Sequence, residues 1–305
     1  MSLADRPEPD QARALLRQAG LETGEHVGCG VEGHVFALDD RVVKMWFDTT
    51  KLRLERLGAF YDALDQSATF RSSRILDIRP VGGLWATIEK RVTGRPLAPA
   101  WTGLPRTVAP DVGRTLIDVL DALRRVPHDP ALTVLPALAG EPPLAPPFPA
   151  ALADLVRRRG AAFGGALVAE LGGGLPELVE RTARDVEAIE PATTGLVHGD
   201  LVPPNILVAP GLEPAVLDFG FLTTHGDPDF DVAVASCIFD MYGPSAEEIT
   251  QQLTEMFVTH FGTSPRTMAL YRSAYAIVTA CCFGDSATDG HFTWCTNLLR
   301  SQELA

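Results

Sequence analysis

His198-Gly199-Asp200-Leu201-Val202-Pro203-Pro204-Asn205, followed thirteen residues later by Asp218-Phe219-Gly220, is the stretch that decides how this chain is read. Short apolar runs bracket it: Leu196 and Val197 lead in, and residues 206–208 and 215–217 read as a hairpin between Asn205 and Asp218. A hairpin brings the chain back to where it left. Asp200, Asn205 and Asp218 can therefore direct three oxygens at one hard cation, and magnesium, which favours carboxylates, phosphate oxygens and retained waters, is the natural occupant. The spacing is that of the kinase catalytic loop, in which an Asp takes the proton of an acceptor hydroxyl and an Asn five positions on binds metal. A D-F-G aspartate there holds the ions that bridge the phosphates.

Working outward toward the N-terminus, Gly28-Cys29-Gly30-Val31-Glu32-Gly33-His34-Val35 forms a G-x-G-x-x-G-x-V pattern between two strands. A dinucleotide fingerprint would join a strand to a helix, so this context favours a phosphate-covering flap, where missing side chains let backbone N–H groups approach the ligand. The same glycines would also suit a tight hairpin. Lys44 follows eleven residues after Gly33, inside the apolar strand 42–47. A charge on such a strand must reach water or a counter-charge. Glu55, the one acidic residue from Thr49 to Tyr61, is the expected helix partner, although a solvated helix face beside Arg53 and Arg56 fits it too.

With these residues in hand, the chain resembles the aminoglycoside phosphotransferase-type small-molecule kinases, a branch of the protein-kinase-like fold. The resemblance runs from about Gly28 through Asp231. It rests on the glycine-rich loop, Lys44, Glu55, the H-G-D-x-x-x-x-N loop and the D-F-G, and Gly226-Asp227-Pro228-Asp229-Phe230-Asp231 is similar to that family's G-D-P-x-x-D segment. It implies an α/β (α+β) two-lobed fold with ATP or GTP as co-substrate and magnesium as cofactor. Asp200 is then the catalytic base, Asn205 and Asp218 the metal ligands, and Gly28, Gly30, Gly33, Lys44 and Glu55 the nucleotide contacts. Asp231 would brace the catalytic loop and His198 would be structural. The segment 88–97, with Glu89 and Arg91, resembles the family's hinge, whose backbone would meet the adenine edge. Protein kinases differ: Gly199 stands where they carry arginine, no A-P-E segment is present, and only six residues separate Gly220 from Asp227. That leaves little room for a peptide platform. The implied acceptor is a hydroxyl on a small molecule, most simply an aminoglycoside-like antibiotic. A nucleoside or macrolide antibiotic, a metabolic amino alcohol, or a nucleotide-binding pseudokinase are the alternatives.

Composition sets the outer limits. The 305 residues are 46% hydrophobic and 21% charged, which suits buried cores rather than disorder. The longest apolar run, residues 274–283, has ten residues, half of what a membrane span needs. The acidic, proline-bearing start MSLADRPEPD does not read as a secretory signal, and five cysteines without a C-x-x-C pair suggest neither a disulfide framework nor zinc. A cytoplasmic protein is expected. Residues 1–92 carry 13 basic and 14 acidic side chains, and residues 93–305 carry 13 and 25, net −12. Such a surface disfavours nucleic acid and anionic membrane and would attract a cationic ligand, although solubility alone explains it equally simply. Lysine occurs only at positions 44, 51 and 90, against 23 arginines.

Residues 1–92 read as a nucleotide-binding lobe: a short helix at 11–19, three antiparallel strands, a helix from the N-cap Thr50, and two more strands. Residues 93–305 read as a helical catalytic and acceptor-binding lobe, with helices at Val112, Leu116, Val119, Leu123 and at Leu175, Leu178, Val179, Val186. Eight prolines in 127–149 and six glycines in 160–174 read as a crossing loop and a break around a short helix at 151–158. Three or four helices follow Phe230.

Overall fold

Helix α1 (Pro9–Gln18) lies behind a five-stranded antiparallel sheet in the order β1-β2-β3-β5-β4, built from β1 (His26–Cys29), β2 (Gly33–Leu38), β3 (Arg41–Trp46), β4 (Ile75–Val81) and β5 (Leu84–Lys90). The computed structural model describes residues 6–30, 32–98, 107–283 and 289–303. Between β3 and β4 runs α2 (Lys51–Ser67). The Thr50 side chain accepts from the Arg53 N–H, so the threonine satisfies one of the donors that a helix start leaves open. A small apolar cluster of Ala12, Leu16, Phe36, Val43, Met45, Val81 and Ala86 closes the sheet against α1. On the other face Leu54, Leu57, Phe60, Tyr61 and Leu64 of α2 join the main core, which continues without a break into the helical part.

After β6 (Arg95–Pro96) come α3 (Pro110–Arg124), α4 (Phe148–Ala162), α5 (Gly164–Leu171) and α6 (Leu175–Glu187). The short β unit follows, with β7 (Gly195–Val197), β8 (Ile206–Val208), β9 (Ala215–Val216) and β10 (Thr224–Gly226), and then α7 (Asp229–Ile238), α8 (Ala246–Phe261), α9 (Pro265–Thr279) and α10 (Gly290–Glu303). The expected hairpin is β8 with β9, and β6 pairs on the far side of β8. Two elements differ from expectation. The glycine-rich break contains α5, because Gly164 and Gly165 occupy only its first turn and Leu167 is fully buried. Residues 224–226 form β10, which pairs antiparallel with β7. This pairing returns the chain to the catalytic loop within a few residues of Gly220. Among the described residues no helix is long and apolar enough to cross a membrane.

Candidate active site

The loop after β7 is held from beneath by one carboxylate. Buried Asp231, in the first turn of α7, accepts the backbone N–H groups of His198 at 2.6 Å and Gly199 at 2.8 Å. The rest of its segment is also occupied: Asp227 accepts the Tyr271 hydroxyl and the Asp229 N–H, and Asp229 pairs with Arg124. His198 is fully buried. Its Nδ1 accepts the Asp200 N–H, so its Nε2 carries the proton donated to the Leu217 carbonyl at 2.8 Å. Burial lowers its pKa to about 4, and with both ring nitrogens engaged by backbone it has no capacity left for proton transfer. Thr223 completes the frame, donating to the His198 carbonyl and accepting the Gly220 N–H.

Gly199 is dictated by this path. Its φ is +87°, and a Cβ there would sit 2.2 Å from the Phe221 carbonyl oxygen. Phe219 anchors the following loop in the core, its ring 4.6 Å from that of His198 and 5.2 Å from that of Phe60. Burying a phenylalanine contributes about 1.5–3 kcal/mol. Asp218 adopts φ +61°, a left-handed conformation that an aspartate tolerates better than most residues.

The backbone brings the two expected ligand positions near one another, the Leu217 N–H beside Asp218 donating to the Asn205 carbonyl. Asp218 Oδ1 lies 3.2 Å from Lys44 Nζ, and Asn205 donates its side-chain NH₂ to the Asp200 carbonyl, which leaves the amide oxygen as the end able to ligate a cation. The Lys44 charge holds the Asp218 carboxyl below the usual range. Burial disfavours the charge on Lys44 itself, but Asp218, Glu32 and Glu89 together outweigh that and raise its pKa. Asp200 is pushed up to about 7, first by burial and then by the charges of Asp218 and Asp231, while the Tyr275 hydroxyl, reaching in from α9, pulls in the opposite direction.

Glu55 is placed differently from expectation. Glu55 does not reach Lys44; it pairs with Lys51 one turn back, and both side chains are half exposed. Glu32, from the glycine-rich loop, meets Lys44 at 3.3 Å and Arg53 at 2.7 Å instead. Glu89 is turned inward, where Thr87 and Ser73 donate to its carboxylate. The Arg91 N–H is spent on the Asp40 carbonyl, and its guanidinium reaches the Asp39 carbonyl. The three glycines also separate. A Cβ on Gly33 would strike the Met45 carbonyl at 2.1 Å, so the strand pairing requires that glycine, whereas Gly28 and Gly30 have open space around a Cβ.

A profile of the phosphotransferase enzyme family matches residues 25–271, a span from just before the glycine-rich loop to Tyr271. The chain belongs to that family. It is a phosphotransferase with a kinase-like α+β fold. Solved structures share the architecture at low identity. Aminoglycoside phosphotransferase APH(4)-Ia, in ternary complex with ADP and hygromycin B, is 18% identical with a TM-score of 0.67, covering 95% of this chain and 97% of the other. Macrolide 2'-phosphotransferase MphH from Brachybacterium faecium is 20% identical with a TM-score of 0.58, covering 95% and 98%. APH(2'')-IIa, in ternary complex with streptomycin and ATP, is 14% identical with a TM-score of 0.57, covering 97% of each chain. No curated protein sequence matches the chain at a significant level. Among the described residues no group of three or more His, Cys, Asp and Glu side chains is placed to hold a metal ion.

Proposed function

We propose that the protein transfers the γ-phosphoryl group of ATP or GTP to a hydroxyl of a small molecule, an antibiotic of the aminoglycoside or macrolide kind. The observation that carries this reading is the ion pair of Lys44 on β3 with Asp218, together with Asn205 bonded to Asp200 on a loop whose His198 and Gly199 N–H groups are held by Asp231. Asp218 and Asn205 would hold magnesium, which supplies charge neutralisation at the phosphates. Lys44 fixes the phosphate oxygens, and the Gly28 and Gly30 stretch covers them. Asp200 orients the acceptor hydroxyl and takes its proton as the bond to phosphorus forms. Catalysis then comes chiefly from positioning and electrostatics. The six residues between Gly220 and Asp227 run straight into β10, which favours a small acceptor over a peptide. Purified protein incubated with Mg-ATP or Mg-GTP and a panel of hydroxylated antibiotics and metabolites, read by mass spectrometry for an added phosphoryl group, tests the reading. Mg-nucleotide should also raise the unfolding temperature by mass action. Absence of both effects at millimolar nucleotide overturns it.

The pH profile follows from Asp200. As a base it must be ionised, and its pKa in the free enzyme is about 7. kcat/KM should therefore climb with unit slope up to about that pH and level off above it. Tyr275→Phe removes a donor to the charged form, so the same limb should move to higher pH. A flat profile between about pH 5 and 9 removes Asp200 from the role of base.

The acceptor is proposed to be cationic, because residues 93–305 carry net −12 and would concentrate positive ligands at the cleft. Its kcat/KM should fall with added salt. A neutral or acidic best substrate would return the acidic surface to a role in solubility.

A further inference from the structure

Lys44 raises a question that the phosphotransferase reading, on which this inference rests, does not answer. Its two ion-pair partners are groups that must let go. Glu32 lies in the loop that has to admit the phosphates, and Asp218 is the carboxylate assigned to the metal. Glu55, the fixed partner expected from α2, is engaged with Lys51. Some other feature must keep the ammonium aimed once nucleotide enters.

Trp46, two residues further along β3, shares the face of the sheet from which Lys44 projects. The Lys44 ammonium stands 3.8 Å from the centre of the indole. That ring is only 3% exposed, and its Nε1 donates to the Thr87 hydroxyl at 3.0 Å. Thr87 in turn donates its hydroxyl hydrogen bond to Glu89 at 2.6 Å, and the second Glu89 oxygen accepts from Ser73 at 2.9 Å. Glu89 is 7% exposed and has no ion pair among the described residues. A buried carboxylate is costly unless positive charge lies close by. Across the β3–β5 pairing Thr87 stands opposite Lys44 and Glu89 opposite Val42, so Glu89 lies one diagonal step from Lys44 on the same face of the sheet. The indole face attracts an ammonium through its quadrupole, and donation from Nε1 to an acceptor chain polarises the ring further in that sense.

We propose that Trp46 and Glu89 are the positioning residues for Lys44, taking the place of a helix glutamate. Trp46 carries the ammonium, and Glu89, acting through Thr87, fixes the ring and supplies the counter-charge that remains when phosphates displace Glu32 and metal claims Asp218. The four residues Trp46, Thr87, Glu89 and Ser73 are all buried and bonded to one another. The arrangement also accounts for a lysine in a chain that otherwise uses arginine: a compact ammonium sits over one ring and still presents N–H donors to phosphate.

With three lysines in the chain, ¹³C labelling at lysine Cε gives three resonances, and the one over the indole should be shifted upfield by the ring current. The expected result is that this shift persists in wild-type protein saturated with magnesium and a non-hydrolysable ATP or GTP analogue. Trp46→Leu should abolish it and weaken analogue binding by about tenfold in calorimetry, with Trp46→Phe intermediate. Glu89→Gln keeps the size and can still accept from Thr87 but lacks the charge, so the upfield shift should shrink in its analogue complex. The Phe and Gln variants preserve shape and decide the matter if the Leu variant does not fold. Heat of analogue binding accompanied by loss of the upfield shift would sink this inference alone, as would a full upfield shift in the analogue complex of Glu89→Gln. No heat and no change in any resonance in the wild type would sink the phosphotransfer reading and this inference with it.

Discussion

Asparagine in place of Asp200 is expected to lower turnover by about 10²- to 10⁴-fold while leaving nucleotide binding nearly intact. The loss comes from removing the acceptor for the hydroxyl proton. Binding survives because of where the side chain faces: Asp200 meets the Tyr275 hydroxyl from α9, whereas Asp218 meets Lys44 of β3. Asp218→Asn should fail in the other manner, with a higher magnesium requirement and weaker productive nucleotide binding, because a neutral amide is a poorer ligand for a hard dication. Calorimetry of nucleotide binding beside turnover separates the two. The same Asp200 variant should be more stable than wild type at high pH. The folded-state pKa of about 7 lies above the ordinary 3.8, so the unfolded chain releases this proton first and wild-type stability declines as pH rises between those values. Asparagine has no proton to lose, so its advantage in Tm should be full above about pH 7 and vanish toward pH 4. Turnover near the wild-type rate would refute the assigned role and leave a nucleotide-binding remnant of the pseudokinase type.

What the sequence reveals, and what it hides, follows from which level of structure each residue depends on. The catalytic loop, the β8–β9 hairpin and the five-stranded sheet are local consequences of apolar spacing, and they stand where that spacing puts them. Glu55 fails because a motif fixes a residue's place along a helix, while its partner depends on the helix's rotation. At about 100° per residue, Leu54, Leu57, Phe60, Tyr61 and Leu64 define the buried face, Arg53 falls within it, and Glu55 points nearly opposite. That phase is itself in the sequence, and it names Arg53 and excludes Glu55. Tyr275 gives no such signal. It lies in an apolar helix 75 positions after Asp200, and only the packing of α9 brings its hydroxyl to the carboxylate. Strand β10 is hidden for a related reason: Thr224, His225 and Gly226 have no strand pattern of their own, and their pairing is supplied by β7.

Gly199→Ala should be among the most destabilising single-methyl changes available in this chain. The backbone at Gly199 has φ +87°, and the added Cβ would lie 2.2 Å from the Phe221 carbonyl oxygen and 2.7 Å from the Leu222 Cβ. The first of these is backbone, which cannot swing aside. Relief requires moving either the residues after Phe219, which is anchored by its ring, or the loop held by Asp231, and both carry buried hydrogen bonds. Strain of this kind costs roughly 1–3 kcal/mol for the dihedral alone. The steric term adds to it, and a total of about 3 kcal/mol corresponds to a fall in Tm of roughly 6–12 °C for a chain of this size. Gly28→Ala and Gly30→Ala provide the contrast. Neither glycine has a left-handed φ, and neither Cβ would have a neighbour within 4 Å. Those variants should melt near the wild-type temperature and lose nucleotide affinity instead. Differential scanning calorimetry of the three variants, with and without Mg-nucleotide, checks the separation, and a Gly199→Ala protein melting with the wild type would refute the loop's path. The same clash explains why this loop reads H-G-D: an arginine at position 199 would bring a Cβ to the same carbonyl, so the short return from Asp218 to β10 and the arginine of protein kinases exclude each other.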